Sequence, residues 1–132
     1  MQDQNIYEYA VIRVVPRVEK EEFLNVGVIM SCPEIDFLEA RIKLDEERLK
    51  AFDSDLDIEM VKVHLATIPE ICKGEASTGS LGRLTKRERF RWLTSPKSTI
   101  IQMSPVHSGY CKDPVKEIEQ LLDKMVGSNK NN

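Results

Sequence analysis

The chain has 132 residues, of which 41% are hydrophobic and 31% charged, and its formal net charge is −3. This length suits a single domain with one core, and the composition is that of a soluble globular protein. No apolar run approaches the ~18 residues that a helix needs to cross a membrane. The opening residues MQDQNIYEYA lack a basic region followed by an apolar stretch, so we expect no secretory signal and a cytoplasmic location.

The N-terminal third of the chain predicts three strands, over residues 6–16, 23–31 and 37–44. The first is rich in β-branched and aromatic residues and ends at a proline. The apolar side chains of the second strand fall on one face by alternation: Leu24, Val26, Val28 and Met30. Asn25 and Gly27 then share its other face. Short connections between the three strands indicate an antiparallel meander.

Two helices are expected after these strands. Asp45 is a suitable N-cap for a short helix over residues 46–52, and Asp57 for a longer one. Apolar residues recur three or four apart along the longer helix: Ile58, Val61, Leu65, Ile68 and Cys72. Pro69 should kink or end it near its last turn. Residues 74–82 hold three glycines and three hydroxyl residues, which predicts a flexible loop without the Gly-Lys-Ser/Thr sequence of a P-loop.

The remainder of the chain completes the predicted fold. Residues 87–93 suggest a short helical turn, residues 99–103 a fourth strand, and an Asp-Pro pair opens a last helix that ends at Gly127. We expect a single α+β domain over residues 1–127, with a disordered tail over 128–132. Its architecture is an antiparallel sheet of about four strands with helices packed mainly on one face.

A basic segment over residues 83–97 is the main functional signal. The segment has six basic residues and one acidic residue, a local net charge of +5, and it includes the only tryptophan of the sequence. The basic residues are Arg83, Lys86, Arg87, Arg89, Arg91 and Lys97. One basic segment in an acidic chain indicates a localised site for an anionic partner.

Two interpretations of this basic segment stay open. Planar guanidinium groups such as those of Arg89 and Arg91 suit phosphate, and an exposed Trp92 could stack on a base. Alternatively, Phe90, Trp92 and Leu93 anchor the core, while the arginines lie in water or pair with acidic side chains elsewhere. The burial of Trp92 separates the two interpretations.

Arg13 is the one charged residue on an otherwise apolar strand face. A buried guanidinium is costly unless it is paired, so Arg13 should meet a carboxylate, enter a polar cleft or reach solvent at the sheet edge. Because glycine lets a backbone or ligand approach a sheet closely, Gly27 and Asn25 could form a pocket with Arg13.

The sequence SPVHSG, over residues 104–109, also has two interpretations. His107 could serve as a general acid or base, with Ser104 as a nucleophile or ligand contact. Alternatively the segment is a plain turn, in which the serines bond to the backbone and His107 packs beside Tyr110.

The three cysteines indicate neither a disulfide framework nor a metal site. Cys32, Cys72 and Cys111 lie about 40 residues apart and are odd in number. We expect small buried hydrophobic side chains, with a thiol nucleophile as the alternative. Neither a metal nor a cofactor is expected.

Three long strings give the chain a resemblance to a known family: YEYAVIRVVPRVEKEEFLNVGVIM, FLEARIKLDEERL and RFRWLTSPKSTIIQMSPVHSGYCKDP. They resemble the bacterial family catalogued as domain of unknown function 3037, from about Tyr7 to Val126. The resemblance implies no activity and no catalytic residues. It does suggest a protein partner, with a kinase resembling the toxin HipA as the candidate, and hence an accessory subunit or regulator.

We therefore weigh three functions. The first is a non-enzymatic interaction module that contacts a partner through residues 89–107. The second is binding of a nucleotide or nucleic acid through residues 83–97. The third is a small enzyme on an anionic substrate, with Arg13 or Arg91 holding the anion, His107 as acid or base and Ser104 positioning it. The candidate binding residues are Arg13, Asn25, Arg89, Arg91, Trp92, Lys97, Ser98, Gln102 and His107.

Overall fold

A computed structural model describes residues 4–97 and 99–127 of the chain. Its strands are β1 (Asn5–Val14), β2 (Leu24–Cys32), β3 (Phe37–Ile42), β4 (Ile101–Met103) and β5 (His107–Cys111). Its α-helices are α1 (Glu46–Phe52), α2 (Ile58–Lys73), α3 (Lys86–Thr94) and α4 (Pro114–Met125). The predicted binding residue Ser98 and the predicted tail, residues 128–132, lie outside the described residues. Among the described helices, none is both long and apolar enough to cross a membrane.

The five strands form one antiparallel sheet in the order β3-β2-β1-β4, with β5 also paired to β1. The predicted α+β class and the antiparallel β1–β2–β3 meander are confirmed. One edge of β1 is shared, because β4 pairs with its C-terminal part and β5 with its N-terminal part. The sheet has five strands where about four were predicted. The additional strand is His107–Cys111, which pairs with β1 and overlaps the segment 104–109 for which a turn was one interpretation.

Hydrophobic side chains cover both faces of the sheet. Helices α1, α2 and α3 pack on one face, where Ile12, Leu49 and Leu65 are fully or almost fully buried. Of the described α-helices, only α4 packs on the other face, where Ile118 lies against Val28 and its neighbours. The helices are therefore mainly on one face, as predicted, and α4 is the exception.

A β-bulge in β2 divides its apolar side chains between these faces. Ile12 lies opposite Gly27 and Arg13 opposite Asn25, so Val26 is an extra residue without a partner in β1. The four apolar side chains separate accordingly, with Leu24 and Val26 toward α2, and Val28 and Met30 toward α4. The prediction that all four share one face is wrong, because a bulge reverses the alternation on either side of it.

The helix starts agree with the predicted caps. The carboxylates of Asp45, Asp57 and Asp113 accept hydrogen bonds from backbone N–H groups in the first turns of α1, α2 and α4. Helix α2 continues past Pro69 and ends at Gly74, whose φ of 73° is left-handed. Residues Ala76–Arg83 form 3-10 turns where a flexible loop was predicted.

Candidate functional site

An apolar groove opens between α2, α3 and β4, with a cavity volume of about 430 Å³. Its walls are mostly aliphatic and aromatic, and these side chains include Ile68, Ile71, Trp92, Leu93, Ile101 and Met103. His64 and Thr67 line the α2 side, while Lys97 and Gln102 lie on the side formed by the segment after α3. This is the size and character of a site that accepts an apolar group.

Trp92 is the distinctive residue of the groove because 42% of its surface is exposed. Helix α3 buries Phe90 and Leu93 in the core, as one interpretation of the sequence predicted. The same interpretation placed Trp92 in the core, and for this residue it is wrong. The helix turns Trp92 away from the sheet and into the wall of the groove.

Lys97 lies over the Trp92 ring, with its Nζ 4.4 Å from the ring centroid. Its ammonium donates to the Trp92 carbonyl oxygen at 2.6 Å and to the Ser95 hydroxyl at 3.0 Å. Partial burial lowers the pKa of Lys97 below its usual value. No carboxylate of residues 4–97 or 99–127 forms a salt bridge with it, so its charge at the groove is compensated only by neutral acceptors.

Gln102 is a β4 residue at the edge of the groove, but it lies opposite Arg13 in the antiparallel pair with β1, so its side chain is on the Arg13 face of the sheet. Its side-chain amide donates to the Thr99 carbonyl oxygen at 2.9 Å. Of the predicted binding residues, the structure therefore brings Trp92 and Lys97 together.

Arg89 has a structural role that the sequence analysis missed. The residue is only 6% exposed, and its guanidinium donates to the carbonyl oxygens of Cys72, Gly82 and Leu84 at 3.3, 3.3 and 2.5 Å. The cation thus caps the carboxyl end of α2 and holds the 3-10 segment against α3. A Cβ at Gly74 would lie 3.3 Å from the same guanidinium. Arg89 is consequently not available to a partner.

The other basic residues of the segment differ in whether they form salt bridges. Lys86 forms a salt bridge with Asp36 at 3.0 Å. Arg83, Arg87 and Arg91 are exposed, and within the described part of the chain no salt bridge engages them. Three arginines and Lys97 therefore remain as free positive charges around α3.

Arg13 and Asn25 lie on the other face of the sheet, away from the groove. The Arg13 guanidinium stacks over the Phe23 ring at 3.9 Å, and burial lowers its pKa. The Asn25 amide donates to the Met125 carbonyl oxygen at 3.0 Å and so fixes the end of α4. Asn25 thus supports the fold, whereas the buried Nε of Arg13 has no hydrogen-bond partner within the described part of the chain.

Gly27 does not form a pocket with them. The bulge turns it to the α2 face, where a Cβ would lie only 2.5 Å from the Arg41 carbonyl oxygen of β3. Glycine is required here because a neighbouring backbone approaches closely. The predicted pocket over Arg13, Asn25 and Gly27 is therefore wrong.

Ser104 and His107 lie in different environments. Ser104 is buried, and its hydroxyl accepts from the Val11 N–H at 2.8 Å and donates to the Pro105 carbonyl oxygen at 2.9 Å. His107 is exposed on β5 with its ring 5.4 Å from Tyr9, on the opposite face from Tyr110. The two residues do not meet Arg13 or the groove.

All three cysteines are free and buried, as predicted. Burial raises the pKa of Cys72 to about 12 and that of Cys111 to about 11, so both thiols are protonated and weakly nucleophilic near neutral pH. Within the described ranges, no group of three or more His, Cys, Asp or Glu side chains is placed to hold a metal ion.

Fold and groove together define a small α+β protein with a preformed apolar groove, bordered by free positive charge. The chain belongs to the family described as "Protein of unknown function (DUF3037)", whose model matches residues 9–126. The resemblance seen in the sequence is thereby confirmed. No curated protein and no solved structure matches the chain.

Proposed function

We propose that this protein is a non-enzymatic interaction module. In the groove beside Trp92 it binds a segment of a partner protein that carries apolar residues next to Asp or Glu. The observation that carries the proposal is a half-exposed tryptophan in the wall of a cavity of about 430 Å³. Exposing an indole to water is unfavourable, and tryptophans in pockets are frequent hot spots of protein interfaces.

The apolar surface continues beyond the groove along α2. Met60 lines the cavity and is partly exposed, and Val63 on the same helix is largely exposed. Large contiguous apolar patches are uncommon on isolated domains and mark interaction sites. A partner that covered Trp92, Met60 and Val63 would bury one continuous surface.

The charge at the groove specifies the chemistry of the partner. Lys97 lies at the indole ring without a carboxylate partner among the described residues. Arg91, the residue before Trp92 on α3, is exposed. An acidic side chain beside the apolar anchor would pair with Lys97 and steer the encounter. The segment we propose therefore carries apolar residues next to Asp or Glu.

The two other functions have less support. For nucleic-acid stacking, one face of the Trp92 ring is already covered by Lys97, Arg89 is used inside the fold, and the net charge is −3. For catalysis, Ser104 and His107 would have to act together with an anion-binding arginine. Against this, the Ser104 hydroxyl is already bonded to the Val11 N–H and the Pro105 carbonyl oxygen.

A photoreactive amino acid in place of Thr67, in the groove wall, tests the proposal in living bacteria. The matched control carries the same amino acid in place of Gln120, which is exposed on α4 on the far side of the sheet. We expect one protein to be captured from position 67 alone, and its capture to be lost with Trp92→Ala. A kinase resembling HipA stays the predicted identity. Capture of the same proteins from both positions, or of none from position 67, would refute the groove as the docking site.

A further inference from the structure

The second feature that calls for a partner is the outer edge of β5. No other strand within residues 4–97 and 99–127 pairs with β5 besides β1. Its Tyr110 is 65% exposed, and Ile6, the residue opposite in β1, is 53% exposed. Val106, just before β5, is exposed as well. An unpaired edge with apolar neighbours is a template for another strand.

The opposite edge of the sheet is protected in a way that β5 is not. Strand β3 carries Glu39 and Arg41, which form a salt bridge at 2.9 Å along its length. Charged side chains on an edge strand discourage pairing with another chain. The sequence of β5, HSGYC, contains no Asp, Glu, Lys or Arg. The two edges of one sheet are therefore unlike.

The hydrogen bonds of β1 show which groups of β5 face outward. Val15 and Val11 bond toward the β4 side, through Val15 N–H to Ile100 C=O and Ser104 N–H to Val11 C=O. Antiparallel strands alternate in this direction, and Tyr7 lies opposite Gly109. Gly109 accordingly bonds to β1. Its neighbours, Ser108 and Tyr110, direct their N–H and C=O groups away from the sheet.

We propose that β5 pairs antiparallel with β5 of a second copy of this chain, about a two-fold axis at Gly109. This register sets Ser108 opposite Tyr110 of the second copy, so the outward donors and acceptors of both strands match. It also sets Lys112 of one copy opposite Val106 of the other, so like charges do not meet across the axis. A self-complementary edge of this kind suits an isologous dimer.

The pairing would join two five-stranded sheets into one continuous sheet. Tyr110 and Ile6 of each copy would lie on the same face near the axis and bury each other. The groove beside Trp92 is lined by β4, which pairs with the C-terminal part of β1, whereas β5 pairs with the N-terminal part, so the groove stays open. The dimer is thus independent of the proposed docking function.

The test is the mass of the full chain in solution, by light scattering after size exclusion over a concentration series. We expect the wild type to reach twice 15.1 kDa. Ser108→Pro removes an outward N–H without removing a bond to β1, and should halve the mass while far-UV circular dichroism is unchanged. Tyr110→Lys should also halve it, because a charge on the edge opposes pairing.

Val63→Lys is the matched control, since it exchanges an exposed apolar residue on α2 for the same charge, and we expect it to stay dimeric. A wild-type mass of 15.1 kDa at every concentration would overturn the proposal, and would leave β5 open to a strand of a different protein. A dimer that persists in both β5 variants would overturn it too. Trp92→Ala should leave the mass unchanged, which separates this result from the groove.

Discussion

The hydroxyl of Ser104 accepts a hydrogen bond from the backbone N–H of Val11 at 2.8 Å, inside the sheet. The Ser104 N–H in turn donates to the Val11 carbonyl oxygen at 2.9 Å. A side-chain oxygen thus takes the place that a strand carbonyl would hold, at the point where β4 ends and the chain continues to β5. This pair lets two short strands follow one another along the same edge of β1.

Replacing Ser104 with alanine should destabilise the protein, because the Val11 N–H would be buried without an acceptor. The expected loss in the free energy of unfolding is about 1–3 kcal/mol. Urea denaturation measures it, with Ser108→Ala as the control, since Ser108 is exposed on β5. Equal stability of the two variants would show that the Ser104 hydroxyl does not complete the ladder.

Arg89→Met should cost more than Arg91→Met, although both residues lie on α3. The first substitution leaves the carbonyl oxygens of Cys72, Gly82 and Leu84 without their donor, while the second changes only an exposed side chain. We expect losses of about 2–3 kcal/mol for Arg89 and under about 0.5 kcal/mol for Arg91. Chemical denaturation of both variants measures these losses. A similar small loss for both would contradict the structural role of the Arg89 hydrogen bonds.

The emission of Trp92 should report the charge of Lys97, because the ammonium lies over the indole and Trp92 is the only tryptophan. Burial lowers the pKa of Lys97, so its charge should be lost, as the pH rises, at a pH below the usual lysine pKa of about 10.4. We expect a fluorescence transition below that pH. Lys97→Met removes the ammonium and should abolish the transition, whereas its persistence would assign it to tyrosine ionisation.

The three thiols should be slow to alkylate in the native protein. Cys32, Cys72 and Cys111 are all buried, and burial raises the pKa of each. Iodoacetamide at pH 8 should modify them at a rate limited by unfolding, and rapidly in denaturant. Mass spectrometry counts the labels. Prompt native labelling at one cysteine would instead revive the interpretation as a thiol nucleophile.

Local sequence signals predicted much of the fold. The β1–β3 meander followed from alternation and short turns, and the starts of α2 and α4 from Asp57 and Asp113. Each of these features depends on neighbours in sequence. Phe90 and Leu93 are in the core, as one of the two interpretations of the basic segment predicted.

The errors arose where distant segments decide the structure. Pro105 and Gly109 are typical of turns, yet β5 is a strand because it completes the edge of β1 that the short β4 leaves unpaired. A single bulge at Val26 reversed the faces of β2. Arg89 resembles a surface residue in sequence, and only the folded chain brings three carbonyl oxygens around it.

The emission of Trp92 during titration with peptides selected from a random displayed library tests the docking function most directly. The groove predicts selected peptides with apolar residues next to Asp or Glu, a blue shift of Trp92 emission at saturation, and roughly tenfold weaker binding to Lys97→Ala. Peptides that bind without changing the emission of Trp92, and equally well to Lys97→Ala, would contradict the groove as the binding site.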